Sequence, residues 1–143
     1  MSGYDKLGEP GAPAEGPGGK AKEAEGKSAL VIEDDERTRP ALVDVLETMG
    51  YRVHSASTGT AGAEILEALN GNVDVILCDM HLPDGDGHDL AQLFGRRWRQ
   101  PRFLLISGES KTGSEGGFDD RYRWLSKPFT VADLRAAIRA LTG

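Results

Sequence analysis

The sequence predicts an α/β fold in which a parallel sheet is covered by helices on both faces. Short apolar runs recur along the chain, segments with helical spacing of apolar residues separate them, and Gly, Pro or Asn stand where segments should end. Nearly continuous apolar runs are typical of strands buried on both faces. Their alternation with helices is typical of a parallel sheet between two helical layers.

The first 27 residues differ in composition from the rest of the chain. Residues 1–27 hold seven Gly and three Pro, and only Met1, Tyr4 and Leu7 are sizeable apolar groups. Such a segment buries too little apolar surface to offset the chain entropy that folding removes. We therefore predict a disordered tail or linker over residues 1–27 and one folded domain over residues 28–143.

The domain opens with ALVIEDD (29–35), an apolar run that ends in acids and predicts a buried strand. The segment 37–50 follows, with apolar residues at helical spacing. Pro40 is compatible with this helix only in its first turn, and Gly50 is a natural stop at its C-terminus.

The remaining elements follow from the same two patterns. Strands are predicted over 51–56, 73–78, 102–107 and 124–126, and helices over 60–71, about 86–97 and 130–141. Thr130 is placed as the N-cap of the last helix, with Asp133 in its first turn. Residues 108–123, where a fourth of five helices is expected, hold four Gly among polar residues, so this helix is predicted to be short, irregular or missing.

Polar side chains follow four of the five predicted strands. Glu33 and Asp34 follow the first, Asp79 the third and Lys127 the fifth, while Ser107 ends the fourth. The carboxyl ends of parallel strands form one edge of the sheet, so these residues should meet there. Carboxylates brought together repel one another unless a hard cation such as Mg²⁺ lies among them.

The lysine and the hydroxyl at the same edge suit a transferred phosphoryl group, because they offer a positive charge and a hydrogen bond to its oxygens. Asp79 would then be the nucleophile that forms an aspartyl-phosphate. Each residue alone also has a structural explanation: Asp79 as a helix cap, Lys127 as a surface lysine, Ser107 as a strand-end hydroxyl. Their conjunction at four strand ends favours the chemical interpretation.

Composition excludes several classes of function. Lys+Arg 17 against Asp+Glu 23 gives a net charge of −6, which argues against direct binding to nucleic acid or to a membrane surface. A single cysteine, Cys78, provides neither an internal disulfide nor a zinc-ligand pattern. The chain lacks a long apolar run and a signal-peptide layout, so we expect a cytoplasmic protein.

Residues 29–141 resemble a receiver domain of the two-component response-regulator family. The matching pieces are LVIEDD, DVILCDMHLPDGDG, LLIS and LSKPF, in the family's order. The resemblance implies a three-layer αβα, flavodoxin-like (CheY-like) fold with strand order 2-1-3-4-5. It also implies that Asp79 accepts a phosphoryl group from a phosphohistidine on a histidine kinase or a histidine phosphotransfer protein, and that a conformational switch follows.

The resemblance implies a magnesium site. Glu33 and Asp34 match the family's acidic pair, which holds Mg²⁺ together with the phosphoacceptor, here Asp79. The backbone carbonyl of His81 matches the family's third protein contact with the ion.

It also implies the switch residues. Ser107 matches the family's switch Ser/Thr, Lys127 its invariant lysine, and Lys127–Pro128 a bond that is cis in the family. The aromatic switch position is usually Tyr or Phe and is Trp124 here. Tyr122, two residues earlier, should face the same side if the strand extends that far.

The acidic turn LPDGDG after the third strand is predicted to be a loop into the third helix, shaped by Pro83 and the glycines. Asp84 and Asp86 suggest an EF-hand calcium loop. That site requires Gly at its sixth position and Glu at its twelfth, where Asp89 and Gly95 stand. We therefore expect Asp84, Asp86 and Asp89 to be solvated or capping residues.

Two other classes of protein share features with this sequence. A phosphatase of the haloacid dehalogenase group requires a second Asp two residues after the nucleophile. His81 stands at that position, so this function is disfavoured. A pseudo-receiver that serves as a protein-interaction module stays open because of Trp124 and the weak fourth helix. We expect no enzyme activity beyond self-catalysed phosphotransfer and dephosphorylation.

The pattern LLISGES followed by KPF is most similar to the receivers of hybrid histidine kinases. With the chain ending at Gly143, we expect a stand-alone receiver or a domain of a larger kinase.

Overall fold

Five parallel strands form the central sheet of the computed structural model, which describes residues 23–108 and 120–143. They are Ser28–Ile32 (β1), Arg52–Ala56 (β2), Val75–Asp79 (β3), Arg102–Ser107 (β6) and Tyr122–Ser126 (β7). Their order is β2-β1-β3-β6-β7. Counting only these five strands, the order is the predicted 2-1-3-4-5, so the flavodoxin-like prediction is confirmed.

Four helices cover the sheet in the described residues: Thr38–Met49 (α1), Gly59–Ala68 (α2), Gly87–Arg97 (α3) and Val131–Thr142 (α4). Alternate residues of β1 face opposite layers. Val31 belongs to a core with Leu46 of α1 and Ile138 of α4, whereas Leu30 belongs to a second core with Leu66 of α2. In the described ranges, none of these helices is long and apolar enough to cross a membrane.

The helix ends agree with the predictions from sequence. Pro40 is the third residue of α1, and Gly50 ends that helix with a left-handed φ of 111°. Thr130 caps α4: its side chain accepts a hydrogen bond from the Asp133 N–H, and the Asp133 side chain accepts one from the Thr130 N–H. These contacts satisfy amide groups that the first helical turn leaves without partners.

Two segments differ from the prediction. The last strand begins at Tyr122, two residues before the predicted start, because its register pairs Tyr122 with Phe103 of β6. The turn after β3, predicted as a loop, contains an antiparallel hairpin of His81–Leu82 (β4) and Gly85–Asp86 (β5). The prediction of a short or missing fourth helix concerns residues 108–123, of which 109–119 lie outside the described residues.

Residues 23–27 pack against the domain. Ala24 is 3 % exposed and joins the core between α1 and α4. Its N–H donates to the Met49 carbonyl at 3.0 Å. Glu23 accepts two hydrogen bonds from the Arg139 guanidinium, each of 2.9 Å. Residues 1–22 lie outside the described residues, and the boundary at residue 28 stays a prediction.

The contacts of residues 23–27 predict a measurable contribution to stability. Removing residues 1–27 should lower the free energy of unfolding by about 1 to 2 kcal/mol relative to removing residues 1–22, because a buried methyl group and backbone hydrogen bonds are lost. Urea unfolding of the two truncated chains measures the difference. Identical midpoints and slopes would contradict it.

Candidate functional site

Three carboxylates meet at the carboxyl edge of the sheet. Glu33 immediately follows β1 and Asp79 ends the neighbouring strand β3. Together with Asp34, each offers a carboxylate oxygen within 4.8 Å of the others. Glu33 and Asp79 are 1 % and 6 % exposed, whereas Asp34 is exposed. The adjacency of the two strands therefore brings two buried acids together beside a solvent-facing one.

The electrostatics of this cluster are unfavourable without a positive charge. Burial is the main cause that raises the pKa of Glu33 to about 7. The hydrogen bond from the Asp35 N–H lowers this pKa, and the neighbouring Asp79 carboxylate raises it. The buried Oε1 of Glu33 has no hydrogen-bond partner among the described residues. A buried acceptor in this position, within a set of carboxylates, fits a hard divalent cation.

The loop that carries Glu33 is held by its own backbone and side chains. Asp35 accepts hydrogen bonds from the N–H and the hydroxyl of Thr38, the first residue of α1, each of 2.7 Å. These bonds lower the pKa of Asp35. Arg39 donates to the Glu33 carbonyl at 3.0 Å. The sequence predicted no role for Asp35, although an acid just before a helical segment is a general signal for a helix start.

Lys127 and Ser107 lie at the same edge. Lys127 Nζ is 3.8 Å from Asp79 Oδ1, and its side chain is 39 % exposed. Ser107 ends β6 and is buried. The Lys127 N–H donates to the Ser107 carbonyl at 2.8 Å, and the Lys127–Pro128 peptide bond is cis. The structure thus brings an ammonium group against the central carboxylate.

The segment after Asp79 approaches it closely. The His81 N–H donates to Asp79 Oδ1 at 3.3 Å, and the His81 side chain is exposed. Gly87, at the start of α3, donates its N–H to the Met80 carbonyl at 2.9 Å. A Cβ on Gly87 would overlap the Asp79 carbonyl, so a side chain at this position would push α3 away from the site.

Sequence comparison assigns this arrangement to a family. A family model described as the response regulator receiver domain matches residues 29–139. The chain belongs to this family. As a two-component receiver domain, it carries the acids, hydroxyl and lysine of its site on four adjacent strands of the sheet.

The receiver domain is similar to parts of longer curated proteins. It is 34 % identical over 117 residues to the KDP operon transcriptional regulatory protein KdpE of Escherichia coli (strain K12), covering 78 % of this chain and 49 % of KdpE. It is 29 % identical over 125 residues to the sensor kinase CckA of Brucella abortus (strain 2308), covering 85 % of this chain and 13 % of CckA. The chain spans half or less of these relatives.

Solved structures of receiver domains share the fold. The receiver domain of the hybrid histidine kinase CckA superimposes with a TM-score of 0.69 and 22 % identity, covering 81 % of this chain and 99 % of that one. A response regulator receiver domain protein from Clostridium thermocellum gives a TM-score of 0.66 and 25 % identity, covering 81 % and 94 %.

The remaining acids of the receiver's turn lie apart from the Asp79 cluster, as predicted, and two of them are capping residues. Asp86 caps α3 by accepting from the His88 N–H at 2.7 Å. Asp84 instead reaches the start of α2, where it accepts from the Gly59 N–H and from the Thr60 N–H and hydroxyl. The hydroxyl bond, followed by the two amide bonds, lowers the pKa of Asp84 to about 2.

The aromatic residues of β7 face α3. Trp124 is buried, and its ring stacks on His88 with centroids 5.8 Å apart. Tyr122 joins the same core, stacks on Phe103 at 4.8 Å and lies against Gly95 of α3. The two aromatic side chains therefore share a face, as the sequence predicts for a strand that includes Tyr122.

The buried Glu33 predicts a pH dependence of stability. Because its folded pKa is raised from 4.5 to about 7, the native state binds more protons than the unfolded state between these values. Without divalent cations, stability should therefore fall as pH rises from about 5 to about 8. In the Glu33→Gln variant this fall should be smaller, and at about pH 8 the variant should melt several degrees higher than the wild type. Thermal unfolding of both proteins with a chelator present tests this, and equal pH slopes would contradict it.

Proposed function

We propose that this receiver domain accepts a phosphoryl group on Asp79 in a Mg²⁺-dependent reaction. The donor would be a phosphohistidine on a histidine kinase or a histidine phosphotransfer protein. The observation that carries the proposal is the buried Asp79 carboxylate, which lies 3.8 Å from Lys127 Nζ and within 4.8 Å of the Glu33 and Asp34 carboxylates. The Lys127 ammonium therefore lies beside the oxygen that would attack phosphorus.

The reaction is a displacement at phosphorus. An oxygen of Asp79 forms a bond to phosphorus, the bond between phosphorus and the donor imidazole breaks, and the imidazole nitrogen leaves with the electron pair. Lys127 would interact with the phosphoryl oxygens as a positive charge, and the Ser107 hydroxyl would donate a hydrogen bond to them. Ser107 ends β6, which lies next to β3, and Lys127 follows β7, the next strand along. The sheet therefore holds both residues in place.

Glu33, Asp34, Asp79 and the backbone carbonyl of His81 would hold the Mg²⁺ ion. When bound, the ion neutralises the carboxylates and stabilises charge on the transferring phosphoryl group. The buried Oε1 of Glu33, which has no partner among the described residues, supports this assignment.

A conformational switch would follow phosphorylation, through Ser107 and Trp124. Ser107 pairs with Ser126 in the register of β6 and β7, and Trp124 lies two residues before Ser126 on β7. A displacement of Ser107 toward a phosphoryl group would therefore act on the strand that carries Trp124. We also propose that the protein works in the cytoplasm and contacts neither nucleic acid nor membrane directly.

Phosphorylation of Asp79 is directly testable. Incubation with Mg²⁺ and acetyl phosphate should add one phosphoryl group to the intact mass of the wild type and none to Asp79→Asn. Lys127→Gln should slow phosphorylation by about tenfold or more, because the charge beside the carboxylate is lost. Lys27→Gln is the matched control, since it removes the same charge at an exposed position outside the site.

Two results would contradict the proposal. The wild type could gain no phosphoryl group from acetyl phosphate or from a phosphorylated phosphotransfer protein, which would favour a pseudo-receiver. Alternatively, Asp79→Asn could still be modified, which would move the acceptor elsewhere.

The switch predicts a change in tryptophan fluorescence. Phosphorylation should alter the emission of Trp124, which is buried beside His88 on β7. The change should persist in Trp98→Phe, which lacks the second tryptophan at the far end of α3, and disappear in Trp124→Phe. The opposite pattern would exclude Trp124 as the switch residue.

A further inference from the structure

Asp84 links two segments that are distant in sequence. It occupies the turn of the β4–β5 hairpin, whereas its partners begin α2, 24 and 25 residues earlier. Asp84 Oδ1 accepts from the Gly59 N–H at 2.8 Å, and Oδ2 accepts from the Thr60 N–H at 2.8 Å and hydroxyl at 2.6 Å. Both carboxylate oxygens are thus used, against the positive end of the helix dipole.

These bonds complete a closed series of contacts around the acidic cluster. The Glu33 N–H donates to the Ala56 carbonyl at the end of β2, at 3.0 Å, and α2 begins three residues later. Asp84 then joins α2 to the hairpin, and the hairpin begins at His81, whose N–H bonds to Asp79 Oδ1. The loop that carries Glu33 and the segment that carries His81 are therefore held relative to one another through α2.

The base of the hairpin is joined to the start of α3. The Gly87 N–H bonds to the Met80 carbonyl, and Asp86 caps α3. Among the described hydrogen bonds, those of Asp84 alone tie the turn of the hairpin to α2. Pro83 and Asp84 in the turn are exposed, whereas Leu82 just before them packs against the core, so the bonds of Asp84 add to that packing at the exposed part of the hairpin.

We propose that Asp84 is a positioning residue for the cation and phosphoryl site. By capping α2, it holds the β4–β5 hairpin so that the His81 backbone stays aligned with Asp79 and the acidic pair. This inference rests on the proposed function. Asp84 touches neither the cation nor the phosphoryl group, and its effect passes through the hairpin.

The proposal predicts an effect on Mg²⁺ affinity that exceeds the effect of the charge alone. Asp84→Ala should weaken Mg²⁺ binding by about tenfold. This is the low end of the loss of metal affinity that follows the removal of a group that orients metal ligands. Asp84→Asn keeps one carbonyl oxygen as an acceptor and should restore part of the affinity. Thr60→Val removes only the hydroxyl bond and should give a smaller loss in the same direction. Glu64→Gln, on the exposed side of α2, is the control for the change in net charge.

Calorimetric Mg²⁺ titration of each folded protein, well below its melting temperature, gives the dissociation constants, and thermal unfolding is measured in parallel. Weaker binding in the order Asp84→Ala, Asp84→Asn, Thr60→Val, with Glu64→Gln equal to wild type, supports the proposal. Unchanged affinity in Asp84→Ala despite a lower melting temperature overturns it, since Asp84 would then only stabilise the fold. If Asp84→Ala does not fold, the other two variants decide. Weaker Mg²⁺ binding in Asp84→Asn than in Thr60→Val supports the proposal, and unchanged affinity in both overturns it.

The same titration separates this inference from the proposed function. Wild-type protein that binds no Mg²⁺ and gains no phosphoryl group contradicts the proposed function itself. Wild-type protein that does both, with Asp84 variants that match Glu64→Gln, contradicts only the role of Asp84.

Discussion

The buried pair of carboxylates at the ends of β1 and β3 is the constraint on which the site depends. Two acids withdrawn from water on adjacent strands repel each other, and burial raises the pKa of Glu33 to about 7. Two neighbouring groups reduce that cost: the Asp35 N–H, which donates to Glu33, and the Lys127 ammonium beside Asp79. A divalent cation among these carboxylates would reduce the remaining repulsion.

The parallel sheet allows such a pair to exist. The central strands β3 and β6 are largely apolar and are covered by helices on both faces, and the carboxyl ends of the parallel strands form one edge of the sheet. Residues at the ends of β3, β6 and β7 are therefore brought together by strand register, with little help from local contacts. The helices contribute mainly at their starts, where Asp35, Asp84 and Asp86 satisfy amide groups and fix the loops.

Much of this was predictable because strands and helices have regular periods. Apolar spacing predicted the five strands of the sheet, and the rule for strand ends predicted that Glu33, Asp79 and Lys127 meet. The bonds of Asp84 to α2 and the packing of Ala24 were not predictable in this way. They join residues far apart in sequence through single contacts, and no periodic pattern marks them. The early start of β7 likewise depends on pairing with Phe103 rather than on the composition of β7 itself.

The packing of residues 23–27 has a further geometric consequence. This segment leads into the amino end of β1, and α4 runs back toward the same edge, where Arg102 at the start of β6 donates to the Leu141 carbonyl. The Glu23–Arg139 ion pair joins the segment before β1 to α4. Residues 23–27 and the end of α4 therefore both lie at the amino edge of the sheet, opposite the carboxyl edge that holds Asp79.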